Sequence, residues 1–128
     1  MFAYIRFLYI KLTDMIAKEL IKGSLRSIIL KLLSENGRMY GYEITHKVEE
    51  LTQGKVKLTY GALYPILHKL EVDGIVVTES ENYNNRTRVY YLLTSKGTSF
   101  AAEKMQEMQE FLEVITALMK PKMRLGNA

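Results

Sequence analysis

Thr59–Gly74, TYGALYPILHKLEVDG, is the stretch whose reading decides the fold of this chain. Leu63, Ile66, Leu67 and Leu70 recur at three- and four-residue steps, the spacing of one buried face of an α-helix. Thr59 is placed to cap that helix, its hydroxyl accepting from an amide of the first turn. Pro65 lacks an N–H and crowds the turn before it, so it is tolerated only near a helix start; the helix therefore begins at about residue 59 to 61. Asp73-Gly74 closes it, glycine being suited to the left-handed conformation common at a helix C-terminus. Tyr60, Tyr64, His68 and Lys69 fall on other faces, where they are free to meet a partner.

Upstream, Leu25, Ile28, Ile29, Leu32 and Leu33 give the stripe of a core-facing helix over Ser24–Ser34, ended by Asn36-Gly37. Tyr40–Leu51 forms a second helix with Tyr40, Ile44, Val48 and Leu51 on one side and His46, Lys47, Glu49 and Glu50 outside. Gly41, early in it, allows another backbone to approach closely. Gln53-Gly54 breaks the pattern, and Lys55–Leu58 leads into the helix quoted above. Downstream the hydrophobic period changes from 3.6 to 2. Ile75–Glu79 and Thr87–Leu93 read as two strands joined by the polar loop Ser80–Arg86. Thr94 then caps a long helix running to about Met119. In it Ala101, Met105, Met108, Leu112, Ile115 and Met119 step by 4, 3, 4, 3 and 4, a sustained seam that Phe111, Val114 and Leu118 widen. A domain this small cannot cover so much apolar surface, so the seam calls for a partner helix. The tail over 121–128 is expected to fray.

Three short helices followed by a hairpin is the order of a winged helix-turn-helix. The fold expected is mainly α with a small β-hairpin (α+β), a winged helix-turn-helix with a long C-terminal dimerisation helix. Its parts are an N-terminal amphipathic helical segment over 1–18, a DNA-binding domain over 19–97, a dimerisation helix over 98–120 and a flexible tail over 121–128. In such a fold the third helix places its first half in the major groove, which admits one helix and displays a distinct donor and acceptor pattern for each base pair. Thr59, Tyr60, Gly61, Tyr64, His68 and Lys69 are the groups there, Gly61 leaving room for close approach. Asn84, Asn85, Arg86 and Arg88 sit where a wing reaches phosphates or the adjoining minor groove. Lys55 and Lys57 approach from the other side. Any one of these is as well explained as a solvated surface charge; their gathering on one face is what favours DNA.

Whole-chain numbers agree without deciding the matter. At 128 residues the chain has room for one domain with a core and one appended element. A content of 48% hydrophobic and 25% charged residues, with 2 Pro and 8 Gly, is that of a folded chain. The charge of +4 and isoelectric point near 9.2 suit a polyanionic partner. Zero cysteines rule out disulfides, thiol nucleophiles and Cys-ligated metals and permit a reducing compartment. Residues 2–18 carry Ile5, Leu8, Leu12 and Met15 at helical spacing, with Phe2, Tyr4, Phe7 and Tyr9 around them. Arg6 and Lys11 interrupt the run, so it is neither a clean signal peptide nor a membrane span. Packing against another helix of the same protein is the expected role, with Met15 an alternative start. These readings point to a cytoplasmic protein with no membrane partner.

The chain resembles the PadR family of transcriptional regulators at four places. These are Leu20–Leu25 (LIKGSL), Tyr40–Ile44 (YGYEI), Gly61–Ile75 (GALYPILHKLEVDGI) and Tyr90–Gly97 (YYLLTSKG). They span residues 20 to 97, and the combination of Gly-Tyr-Glu, Leu-Tyr-Pro and Thr-x-x-Gly is more specific than any piece alone. The resemblance implies a homodimeric repressor on a palindromic operator, dimerising through its C-terminal helix. Carried over by position, Tyr42, Tyr64 and the exposed start of the third helix correspond to DNA contacts, and Arg86 and Arg88 to the wing. The single C-terminal helix looks like the smaller subfamily, some members of which bind flat lipophilic drugs between subunits. The stacking tryptophan of those members is missing, because the chain has no Trp.

No enzyme is expected. His46 and His68 lie on separate helices without a carboxylate, Ser or Cys constellation, and no phosphate-binding glycine loop is present. No cofactor or metal is called for. The competing reading is a winged helix used only for protein contacts, and DNA affinity that falls steeply with salt separates the two. A candidate effector pocket would draw on Met108, Phe111 and Leu112, with Phe7 and Leu8 of the partner, in an adaptable apolar cavity. A dry packed seam fits the same residues equally well.

Overall fold

The computed structural model describes residues 16–122. Its elements are α1 (Lys18–Lys22), α2 (Leu25–Asn36), β1 (Met39–Tyr40), α3 (Gly41–Leu51), α4 (Tyr60–Val72), β2 (Val76–Tyr83), β3 (Arg86–Leu93) and α5 (Ser95–Met119). The expected helix over 2–18, with Phe7 and Leu8, lies outside the described residues except for its last three positions, of which Lys18 opens α1. Most of the expected tail likewise lies outside them.

The periodic stretches fold as their spacing requires. α2 buries Leu25, Ile29, Leu32 and Leu33, and also Leu30, which the narrow stripe leaves out. The reason is that α2 is covered on two sides, by α5 and by β3, so its apolar arc is wider than that of a surface helix. Gly37 ends it at φ +72°, with its N–H on the Leu33 carbonyl at 3.1 Å. In α3, Ile44 and Val48 are buried while Leu51 is left largely exposed. The Glu43 carboxylate accepts from the Tyr40 backbone N–H at 3.2 Å, satisfying a donor at that helix start. Between α3 and α4 the turn is held by Thr52, whose hydroxyl donates to the Val48 carbonyl at 2.7 Å and accepts from the Val56 N–H at 3.1 Å. Val56 and Leu58 then drop into the core beside Leu63, Leu67 and Leu70 of α4. Burial of each such aliphatic side chain contributes about 1.5–3 kcal/mol.

α4 starts at Tyr60 with the Thr59 hydroxyl accepting from Ala62 N–H at 3.2 Å, and Pro65 lies inside it as its sixth residue.

Two features differ from the sequence reading. The loop expected over Ser80–Arg86 is two residues long: β2 continues to Tyr83, β3 begins at Arg86, and only Asn84 and Asn85 turn the chain. Both have positive φ, 48° and 62°, the backbone of a type I′ turn, which matches the twist of paired strands. The polar residues on either side of that turn, Ser80–Tyr83 and Arg86, are strand without hydrophobic alternation, because both faces of the ribbon meet solvent at the tip. The second feature is β1, which pairs antiparallel with β3 through Met39 opposite Tyr91 and Tyr40 opposite Tyr90. The sheet order is therefore β1-β3-β2. Its inner face carries Met39, Val76, Tyr91 and Leu93 against the core. Alternation places Tyr40, Tyr90, Arg88, Glu79, Glu81 and Tyr83 on the outer face.

α5 is anchored at its first turn. Thr94 accepts from Gly97 N–H at 2.9 Å and donates to the Gly74 carbonyl at 2.7 Å, while Lys96 Nζ donates to the Asp73 carbonyl at 2.9 Å. Gly97 lies directly on the Ile75 carbonyl, where a Cβ would overlap the oxygen.

Candidate nucleic-acid interface

The start of α4, the start of α3 and the tip of the β2–β3 hairpin meet around one recess of about 680 Å³. Tyr40, Tyr42, Tyr60, Tyr83, Asn84, Arg86, Thr87 and Arg88 line it. Five of the residues singled out in the sequence thus come together: Tyr42, Tyr60, Asn84, Arg86 and Arg88. Asn85 completes the turn beside them. Among the described residues no carboxylate lies within ion-pair distance of Arg86 or Arg88, so the recess is cationic and rich in aromatic faces. Hydroxyls, an amide and guanidinium groups converge there, the donor set suited to phosphate oxygens and base edges.

The remaining candidates have other neighbours. Thr59 is engaged in capping α4. Gly61 is exposed, and a Cβ there would meet only the Thr59 hydroxyl at 3.9 Å, so nothing within the chain requires glycine at this position. Tyr64 is 44% exposed, and its ring lies tilted toward Tyr60 at 5.9 Å. Its hydroxyl end rests on Gly41, where a Cβ would overlap the hydroxyl and sit 2.9 Å from Cζ. The close approach expected at Gly41 is therefore made by a tyrosine side chain of α4. His68 is exposed further along α4, and Lys69 in the last turn pairs with Asp73 at 3.2 Å. At 1.5 Å per residue Lys69 stands about 14 Å down the axis from Tyr60. Lys57 lies 3.9 Å from Glu49, and Lys55 is exposed in the turn between α3 and α4.

The outer face of the sheet holds an arrangement that no local pattern announces. Arg38, just before β1, crosses the Tyr90 ring at 4.1 Å to reach Glu79 at 3.1 Å and Glu81 at 2.7 Å on β2. Arg88 of β3 lies against two rings, Tyr40 at 4.6 Å and Tyr83 at 4.1 Å. Tyr40 meets Tyr90 edge to face at 5.3 Å. The Arg38 guanidinium is held above its usual pKa, first by its hydrogen bond to Glu81, and Arg88 is raised chiefly by hydrogen bonding to Tyr90. Both therefore remain charged throughout the range in which proteins fold. Tyr40, Tyr83, Thr87 and Arg38 are the neighbours that sequence reasoning missed. The Tyr-Asn-Asn-Arg run, read as a type I′ turn, would have exposed the first two of the tip's rings and charges.

Along α5, Ala101 is 1% exposed and belongs to the chain's own core, so that seam position is filled within the protomer. Exposure grows toward the far end: Phe111, Leu112, Val114, Ile115, Leu118 and Met119 all present apolar surface to solvent. Met105, Met108 and Leu112 also line an open groove of about 1030 Å³ between α5, α2 and the end of α3, closed on its other side by Ile28, Leu32, Val48 and Leu51. Phe111 is not part of that lining. No described helix is long and apolar enough to cross a membrane.

Comparison with known proteins adds the family. The profile of the transcriptional regulator PadR-like family matches residues 29–103, from α2 into the first turns of α5. An uncharacterised protein of Lysinibacillus sphaericus is 31% identical over 107 residues, covering 83% of this chain and 97% of that one. A transcriptional regulator of Mycobacterium tuberculosis is 30% identical over 93 residues, 73% of this chain and 83% of its own length. Among solved structures, a transcriptional regulator from Clostridium thermocellum superposes with a TM-score of 0.73 at 30% identity, covering 82% of this chain and 99% of that one.

Proposed function

This chain belongs to the PadR-like family of transcriptional regulators, DNA-binding proteins rather than enzymes, and from that premise we propose that it is a homodimeric repressor binding a palindromic operator. In this reading residues 19–97 form the DNA-binding domain and 98–120 the dimerisation arm. α4 enters the major groove by its N-terminal half, presenting Tyr60, Gly61 and Tyr64, while Asn84, Asn85, Arg86 and Tyr42 engage the flanking backbone. The observation that carries it is the recess where Tyr42, Tyr60, Asn84 and Arg86 converge from three separate elements with no carboxylate paired to the arginine. The dimer rests on the exposed apolar face of α5 from Phe111 to Met119, which this domain alone leaves in water. His68 and Lys69 lie beyond the recess and would reach DNA only deeper along the groove.

The test is binding of the full chain to duplex DNA from its own promoter region over a salt series. The expected result is a linear fall of log affinity with log salt, each neutralised phosphate adding about 0.9 to the slope. Absence of binding at low salt would remove the regulator reading in favour of a protein-contact module. Control by a lipophilic effector in the groove beside Met108 and Leu112 is the finer part of the proposal. It requires that such compounds raise the melting temperature of the dimer.

A further inference from the structure

The hairpin that forms the wing is anchored on its inner face at its base, where Val76, Tyr91 and Leu93 lie against the core. From Val77 outward every β2 residue is exposed. A two-stranded ribbon of this kind is marginally stable and poorly held in direction by itself. The outer face supplies an interlock. Arg38, fixed by the start of β1, straddles the Tyr90 ring of β3 and grips both Glu79 and Glu81 of β2. Arg88 runs the other way, its guanidinium between the Tyr40 ring at the start of α3 and the Tyr83 ring at the wing tip. Glu81 is directly opposite Arg88 in the β2–β3 register, yet its carboxylate goes to Arg38. The positive charge nearest the wing tip on β3 is thereby left to aromatic faces.

We infer that Arg88 is a positioning residue and not a phosphate ligand: clamped between Tyr40 and Tyr83, it fixes the wing's direction relative to α3 and α4, and Arg86 is left as the cation that touches DNA. The inference rests on the DNA-binding reading for its consequence but not for its geometry. The guanidinium carbon lies 4.6 Å from the Tyr40 ring centre and 4.1 Å from that of Tyr83, and turning the group outward to a phosphate would give up both cation–π contacts. With the clamp intact the wing meets DNA already oriented, and none of the affinity is lost to ordering it.

Two measurements on the full-length protein decide this. The first is amide hydrogen exchange without DNA. Arg88→Ala, Arg88→Lys and Tyr83→Ala are each expected to speed exchange of the hairpin amides over 79–88 by about tenfold, with α2 amides unchanged. Lysine keeps the charge but not the broad planar group that spans both rings, so its failure to rescue is part of the expectation. The second is the salt dependence of DNA binding. Arg88→Ala should weaken binding about five- to tenfold with the slope unaltered, and Arg88→Ala/Tyr83→Ala should be no worse than the weaker single variant. Arg86→Ala should instead lower the slope by about one phosphate. Unchanged hairpin exchange in the Arg88 variants would overturn the inference. So would a slope reduced by about one in Arg88→Ala, or rescue by Arg88→Lys, either of which makes Arg88 a phosphate ligand. If the native protein binds no DNA, the regulator reading fails, while the exchange experiment still decides whether the clamp holds the wing.

Discussion

Gly97→Ala tests the junction between wing and long helix. Two effects oppose each other. Alanine in place of glycine within a helix favours folding by up to about 1 kcal/mol, and by less in a first turn. Against this, a Cβ on Gly97 overlaps the Ile75 carbonyl oxygen, lies 2.9 Å from its carbon and 3.2 Å from the Thr94 hydroxyl. These are backbone atoms and a committed cap, not the free end of a flexible side chain. To relieve the overlap the first turn of α5 must move away from β2. That movement strains the Thr94 N–H bond to the Ile75 carbonyl at 3.0 Å and the Thr94 hydroxyl bond to Gly74 at 2.7 Å. Overpacking of this kind costs about 1–3 kcal/mol and a lost cap about 1 kcal/mol. The net is a destabilisation of about 2 kcal/mol, or a melting temperature lower by roughly 7 °C for a chain of this size. The assay is thermal unfolding followed by circular dichroism at one fixed protein concentration, because the proposed dimerisation would make Tm concentration-dependent. Gly23→Ala is the control: its φ of −71° is ordinary and nothing lies within 4 Å of a Cβ there, so it should melt at or slightly above the parent. A Gly97→Ala protein as stable as that control would refute the close packing of α5 on the Ile75 carbonyl.

Gly61→Ala should leave stability equal or up to about 1 kcal/mol higher, since a Cβ there has room within the chain, and should reduce DNA affinity by about tenfold; full affinity in a gel-shift titration would show that α4 does not approach DNA closely at this point. Replacing Phe111 and Ile115 together by Glu is expected to give a folded monomer by sedimentation, with loss of operator binding, because both are exposed on α5 and would form the seam; a variant that stays dimeric would refute that assignment. Burial, and secondarily Tyr64 and Glu71, raise the pKa of Tyr91 above the usual tyrosine value. The folded state therefore holds that proton more tightly than the unfolded chain. Tyr91 makes no change in stability below about pH 10 and causes a loss as pH rises past it. Urea unfolding from pH 8 to 11 should show this decline, shallower in Tyr91→Phe; a Tyr91→Phe curve identical to the parent would argue against the partly buried setting of Tyr91.

The corrections have a common origin. The run from Ser80 to Arg86 has the pattern of a seven-residue loop because it carries no apolar alternation, the signal a strand gives when one of its faces is buried. At the wing tip neither face is buried, and pairing is decided by backbone hydrogen bonds and by two asparagines that accept positive φ. The strand at Met39–Tyr40 is two residues long and has no periodicity to detect; it exists because β3 lies beside it. Ala101 fits the spacing of the intersubunit seam as well as that of the domain core, and spacing by itself does not say which surface a helix face will meet.

What the sequence determined by itself is local. Helical periods, the Thr59 and Thr94 caps, the position of Pro65 and the break at Asn36-Gly37 act within a few residues, so the helices and their order were legible, and with them the winged helix-turn-helix. Tyr42, Tyr60, Asn84, Arg86 and Arg88 could be picked out as exposed and polar, but not as neighbours. Tertiary structure alone decided that Arg38 reaches across Tyr90 to Glu79 and Glu81, that Arg88 lies between Tyr40 and Tyr83, and that Tyr64 rests on Gly41. Each of these contacts joins residues distant in the chain, and its geometry is set by strand register and helix packing, which no short window of sequence contains.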